Sequence, residues 1–193
     1  MMFSSPFEAM HLAQRLATTF GELPQVEAVT LGGSLASGSG DASSDIDLYV
    51  YTHAEISTPE REAIVARSGG ASRADIGLTY WGPGDEWFQA DSGIEVDVVY
   101  FDTGWLETQI CLLLDEHRAS MGYSTCFWYT VLYSESLYDQ EGWFAKLQTR
   151  CKAPYPEALS ANIISRNLPV LRTVIPAYLR QIEKATRRHD LVS

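Results

Sequence analysis

The stretch LGGSLASGSGDASSDIDLYVY, residues 31–51, constrains the fold more than any other, because a glycine- and serine-rich loop runs directly into a strand with aspartates two positions apart. Side chains in a strand alternate faces, so Asp45, Asp47, Tyr49 and Tyr51 share one side while Ile46, Leu48 and Val50 share the other. The aliphatic side faces a core, so the carboxylates converge at the end of the loop. Like charges at that spacing repel and push one pKa upward unless a cation lies between them, which points to a divalent metal.

Elements on either side of this stretch alternate. SSPFEAMHLAQRLATTFG predicts a helix over about 5–20, with Ser5 as N-cap, Pro6 in the first turn, Glu8 completing a capping box, and Phe7, Met10, Leu16 and Phe20 as its apolar stripe. VEAVTL (26–31) reads as a strand delivering the chain into the Gly-Gly-Ser turn, and SDIDLYVYT (44–52) as the second strand. A cap and proline at Thr58 open a helix ending at Gly69; ADIGLTYWG (74–82) and GIEVDVVYFD (93–102) read as further strands. In the last, Glu95, Asp97 and Val99 share one face. Helices alternating with strands indicate an α/β layer structure.

After Thr103 the pattern becomes helical. GWLETQICLLLDEHRAS and STCFWYTVLYSESLY each predict a helix, and the long amphipathic run from Ser160 is predicted to kink or break at Pro169 and Pro176. The aromatic set Tyr123, Phe127, Trp128, Tyr129, Tyr133, Tyr138, Trp143 and Phe144 is expected to be core between this extension and the sheet; a stacking wall for an acceptor is the alternative. The expected division is a core over 1–103 and a helical extension over 104–193.

Charge separates the same way. Residues 1–145 carry 22 acidic and 5 basic side chains, net -17, and residues 146–193 carry 3 acidic and 9 basic, net +6, giving -11 in all. Such a surface repels nucleic-acid phosphates and attracts cations, so no nucleic-acid partner is expected and a cationic small molecule is favoured. No apolar run approaches the roughly 18 residues of a membrane span, and the first residues lack the basic start and apolar stretch of a signal peptide. Three widely spaced cysteines, Cys111, Cys126 and Cys151, fit free thiols in a reducing compartment. A cytoplasmic protein without a membrane partner is the expectation.

The loop does not fit the better-known phosphate or metal signatures. It lacks the Gly-Lys-Ser/Thr ending of a Walker A loop and the G-x-G-x-x-G spacing of a dinucleotide site; an EF-hand starting at Asp41 would need Gly and Glu where Ile46 and Thr52 stand. What remains is a backbone able to approach a ligand closely at Gly32 and Gly33, with a hydroxyl and an amide at Ser34. The four histidines have no metal-ligand spacing.

Gly33 and Ser34, then Gly38, then Ser44, Asp45 and Asp47, and finally Asp97 in VDVVYF form a pattern that resembles the DNA polymerase β-like nucleotidyltransferase superfamily, more narrowly its aminoglycoside-type small-molecule members. The resemblance covers about residues 26–101; Ser37 stands where many relatives carry a basic residue. It implies an α/β (α+β) fold, a mixed-sheet nucleotidyltransferase core flanked by helices, in which Asp45, Asp47 and Asp97 hold Mg²⁺ and Gly33, Ser34 and Ser44 bind the nucleotide. ATP or another nucleoside triphosphate would be the co-substrate. Asp97 would accept the proton of an acceptor hydroxyl as it attacks the α-phosphorus and pyrophosphate leaves. Glu95 shares its face and is the other candidate for the third carboxylate; the family pattern favours Asp97. Lys146, Arg150 and Lys152 are candidate helpers by charge alone. An aminoglycoside-like polycation is the expected acceptor. Nucleotidylation of a protein, as in antitoxin-like members, and a non-catalytic nucleotide-binding module are the competing readings. The long C-terminal helix offers a surface for a homodimer.

Overall fold

A computed structural model describes residues 6–41, 44–80 and 82–189. Its centre is a six-stranded mixed sheet built from β1 (Val26–Leu31), β2 (Ile46–Thr52), β3 (Ala71–Leu78), β4 (Gly84–Gln89), β5 (Glu95–Asp102) and β6 (Glu135–Asp139), in the order β3-β4-β5-β2-β1-β6. Only β2 and β5 pair in parallel; the remaining neighbours are antiparallel. The helices are α1 (Pro6–Gly21), the single turn α2 (Gly33–Ala36), α3 (Thr58–Arg67), α4 (Thr103–Leu114), α5 (Cys126–Tyr133), α6 (Trp143–Cys151), α7 (Glu157–Pro169) and α8 (Ile175–Arg187). The α+β class expected from the sequence is the one observed.

Both faces of β2 are covered. Ile46, Leu48 and Val50 join Val29, Leu31, Val96 and Val98 in a core closed by Leu12, Leu16 and Phe20 of α1 and by Ile64 and Val65 of α3. On the other face Tyr51 is fully buried among the rings of Phe101, Trp143 and Phe144, with centroids 6.0, 5.4 and 5.3 Å away. Towards the loop end of this face Asp45, Asp47 and Tyr49 are half-buried.

Several elements differ from their sequence-based expectation. The N-cap expected at Ser5 lies outside the described residues, as does Trp81 of the expected strand over 74–82. Phe7 is 72% exposed, so the α1 stripe runs instead through Ala9, Leu12, Ala13, Leu16, Ala17 and Phe20. α3 is capped one residue earlier than expected, by Ser57, whose N–H and hydroxyl both donate to Glu60 (2.9 and 2.6 Å). The helix expected over 124–138 ends at Tyr133, and the chain then pairs with the open edge of β1, Val29 opposite Tyr138 and Ala28 opposite Asp139. That edge offers unpaired backbone groups, and satisfying them outweighs continuing the helix. Asp139 then accepts the N–H groups of Phe144 and Ala145 and starts α6. At Pro169 and Pro176 the run stays helical but loses its regular α-pattern: Pro169 closes α7, a π-helical stretch, Val170–Val174, follows, and Pro176 falls in the first turn of α8.

Two compact units are present. One runs to Gln109 and resumes over Phe127–Lys152, so it contains the whole sheet; the other takes Ile110–Cys126 and the described residues from Ala153 onward. In the second, Asn162 donates to the His117 carbonyl (2.8 Å), while Asn167 accepts the Gly122 N–H (2.8 Å) and donates to the Ser120 carbonyl (3.0 Å). Among the described residues no helix is long and apolar enough to cross a membrane.

Candidate active site

The site begins where β1 hands the chain to the Gly-Gly-Ser turn. The Gly32 N–H donates to the Asp47 carbonyl at 2.8 Å, which ties the turn to β2. Gly33 takes φ +61°, and a side chain there would collide with the Asp47 carboxylate. Glycine is therefore required twice over: by the left-handed backbone and by the aspartate that fills the space a Cβ would need. Ser34 follows within α2, its carbonyl accepting the Ser37 hydroxyl (3.0 Å) and the Ser39 N–H (3.1 Å). Gly38 closes the turn with its N–H on Leu35 (3.3 Å).

Ser44 has its hydroxyl on the Asp41 N–H at 2.9 Å, so it braces the loop that delivers Asp45. Asp45 precedes the first strand residue, Ile46, and Asp47 stands opposite Asp97 in the parallel register of β2 and β5. Carboxylate oxygens of Asp45, Asp47 and Asp97 all lie within 4.8 Å of one another, and all three residues are half-buried. Three residues that span 53 positions of sequence thus converge on one end of a parallel strand pair.

A second set, Glu86, Glu95 and Asp97, meets the same distance limit. Asp97 belongs to both sets, whereas Glu95 groups with Glu86 and not with the Asp45–Asp47 pair. Glu86, not among the sequence-based candidates, lies in β4 (GDEWFQ), whose pattern carries no clear apolar alternation, opposite Asp97 in the β4–β5 register.

Electrostatics follow from this crowding. Burial and then Glu86, Glu95, Asp45 and Asp47 push the Asp97 carboxyl up to about 6. Burial raises Asp47, with Asp45 adding to it, and burial followed by Glu86 and Asp45 raises Glu95, against a smaller opposing effect of Arg73. So dense a set of hard oxygen donors fits a divalent cation such as Mg²⁺, whose charge removes the repulsion that crowding creates.

The other candidates are dispersed. Lys146, Arg150 and Lys152 lie on or just after α6; the Lys146 ammonium is 3.4 Å from the Glu141 carbonyl. The aromatic set divides: Trp128 and Phe144 are buried, Phe127, Tyr138 and Trp143 half-buried, and Tyr123, Tyr129 and Tyr133 exposed. It is not a continuous core.

Residues 13–110 match the family described as the nucleotidyltransferase domain. No curated protein matches the chain. Among solved structures, a candidate nucleotidyltransferase from Sulfolobus solfataricus aligns with 53% of this chain and 75% of its own, at 20% identity and TM-score 0.32. A nucleotidyltransferase-like protein from Exiguobacterium sibiricum aligns with 94% of this chain and 50% of its own, at 10% identity and TM-score 0.43. A toxin-antitoxin structure with AMP-PNP aligns with 84% and 98%, at 14% identity and TM-score 0.41.

Proposed function

The chain belongs to the nucleotidyltransferase domain family, and we propose that it transfers a nucleoside monophosphate from ATP or another nucleoside triphosphate to a hydroxyl of a cationic small molecule, releasing pyrophosphate. The observation that carries this reading is the convergence of Asp45, Asp47 and Asp97 beside the Gly33–Ser34 turn. These three would hold Mg²⁺, which when bound supplies neutralising charge for the triphosphate and for the departing pyrophosphate. The backbone amides of Gly33 and Ser34 bind phosphate oxygens, and Ser44 keeps the loop in register. Asp97 takes the proton of the acceptor hydroxyl as its oxygen forms the new bond to the α-phosphorus; the bond from that phosphorus to the pyrophosphate oxygen breaks in line. On this reading residues 1–103 carry the chemistry. A polycationic, aminoglycoside-like acceptor suits the acidic balance of residues 1–145.

Calorimetric titration of ATP and GTP, with and without Mg²⁺, on the wild type and on Asp47→Asn tests the nucleotide site. Mg²⁺-dependent binding that the substitution abolishes is the expected result; binding indifferent to both would overturn it. Transfer from α-labelled nucleotide to a panel beginning with aminoglycosides then tests the acceptor. Label on a partner protein and on no small molecule would replace that acceptor with a protein.

A further inference from the structure

The two glycines of the Gly-Gly-Ser turn lie against two side chains that share one face of β2. Gly33 meets the Asp47 carboxylate, and Gly32 meets Tyr49, two positions further along: a Cβ on Gly32 would collide with the Tyr49 ring and lie 3.1 Å from its hydroxyl. Gly32 is buried and has φ -111° and ψ -155°, an extended backbone open to any residue. Glycine at this position is therefore demanded by the Tyr49 side chain and not by the backbone.

Tyr49 is in turn held from several sides. It stands opposite Thr30 of β1 and Val99 of β5. Its ring centroid is 5.9 Å from that of Phe101, and its hydroxyl is hydrogen-bonded with the Thr130 side chain of α5. The Gly32 N–H donates to the Asp47 carbonyl at 2.8 Å, so the turn is seated on β2 by that bond and by the Tyr49 ring. Burial and then Asp47 raise the Tyr49 phenol, against a smaller opposing effect of the Thr130 hydrogen bond, so the hydroxyl stays neutral and adds no negative charge beside the carboxylates.

We propose that Tyr49 is a positioning residue for nucleotide binding: its ring sets the height of the turn at 32–34 above β2, and with it the separation of the Gly33 and Ser34 amides from Asp45, Asp47 and Asp97. A triphosphate that meets those amides must also come within reach of the carboxylates and the cation they would hold, and a separation fixed before binding loses less when the ligand arrives. The role rests on the nucleotide-transfer reading above, and Tyr49 acts in it through the turn.

Tyr49→Ala, Tyr49→Phe, Gly32→Ala and the double variant Gly32→Ala with Tyr49→Ala test it in the full chain. Amide hydrogen exchange at 32–35, measured without nucleotide or metal, should quicken in Tyr49→Ala. Calorimetry with Mg²⁺ and ATP should show affinity lowered about tenfold or more by Tyr49→Ala, which removes the ring, and by Gly32→Ala, which keeps the ring and strikes it; Tyr49→Phe should restore binding to within about twofold of wild type. In the Tyr49→Ala background Gly32→Ala should cost little more, because the ring it strikes is gone. Mg²⁺ alone should still raise the melting temperature of Tyr49→Ala, since all three carboxylates remain, which a general loss of structure would not allow. Exchange at 32–35 unchanged in Tyr49→Ala, ATP affinity unchanged in both single alanine variants, or an equal cost of Gly32→Ala in the two backgrounds would overturn the role and leave the nucleotide reading standing. Absence of Mg²⁺-dependent ATP binding in the wild type would overturn both.

Discussion

Gly33 and Asp47 occupy each other's space, and that gives the turn a narrow tolerance. Gly33→Ala is expected to cost about 1–2 kcal/mol of stability from the left-handed backbone alone. Its effect on nucleotide binding should be larger, because the new methyl displaces the Asp47 carboxylate; calorimetry with Mg²⁺ and ATP, set beside a thermal melt, measures both. Asp97 carries a pH prediction. Its folded pKa of about 6 lies above the ordinary 3.8, so the folded state holds the proton more tightly than the unfolded chain does. The corresponding stabilisation is full below about pH 3.8 and is lost as pH rises through about 6. Raised Asp47 and Glu95 act in the same sense, and Glu60, lowered by its hydrogen bonds to Ser57, acts oppositely. In melts from pH 5 to 7.5 without metal, Asp97→Asn should flatten the decline and melt higher than wild type at pH 7.5. Added Mg²⁺ should stabilise wild type and not the variant. If Asp97 is the proton acceptor, turnover in the variant falls by about 10²–10⁴-fold.

At the scale of elements, α6 meets β2 through the rings of Trp143 and Phe144 against Tyr51. Phe144 is fully buried and stacks on Tyr51, so Phe144→Ala should cost about 3–5 kcal/mol in urea unfolding. Tyr133→Ala, on a residue 61% exposed, should stay within about 0.5 kcal/mol. What could be read from the sequence follows the same burial. β2 and β5 were legible because Ile46, Leu48 and Val50, and Val96 and Val98, alternate with polar residues, and that alternation also brought out Asp45, Asp47 and Asp97. β4 was hidden because Asp85 and Gln89 are buried polar residues, paired with Arg61 and with the Ser68 carbonyl, and the apolar period of two disappears. Glu86 was missed along with it. β6 was hidden because it is a short strand whose pairing is decided by a β1 edge more than a hundred residues earlier. Phe127 to Leu132 is apolar enough to suggest a longer helix than forms, and nothing local marks which of its rings are exposed.

Over the whole molecule the acidic excess is a stability term of its own. With net -17 over residues 1–145, the metal-free protein repels itself, and screening that repulsion favours the compact state. Its melting temperature should rise as NaCl increases from about 10 mM to about 1 M, where the screening length falls to about 3 Å. Saturating Mg²⁺ should reduce that salt dependence, because a cation held among Asp45, Asp47 and Asp97 relieves the densest part of the repulsion; a salt slope unchanged by Mg²⁺ would argue against binding there.

The parallel pairing of β2 with β5 has a kinetic consequence. Parallel neighbours cannot be joined by a tight turn, and here the return passes through α3, β3 and β4 before Asp97 arrives beside Asp47. The carboxylate cluster therefore does not exist in any locally folded fragment; it appears only when a distant contact closes, an entropically slow event. During refolding, capture of a divalent ion should lag behind helix formation, so the ion acts as a clock for the last step of assembly. Until β5 has formed, the chain carries Asp45 and Asp47 without the neighbouring Asp97.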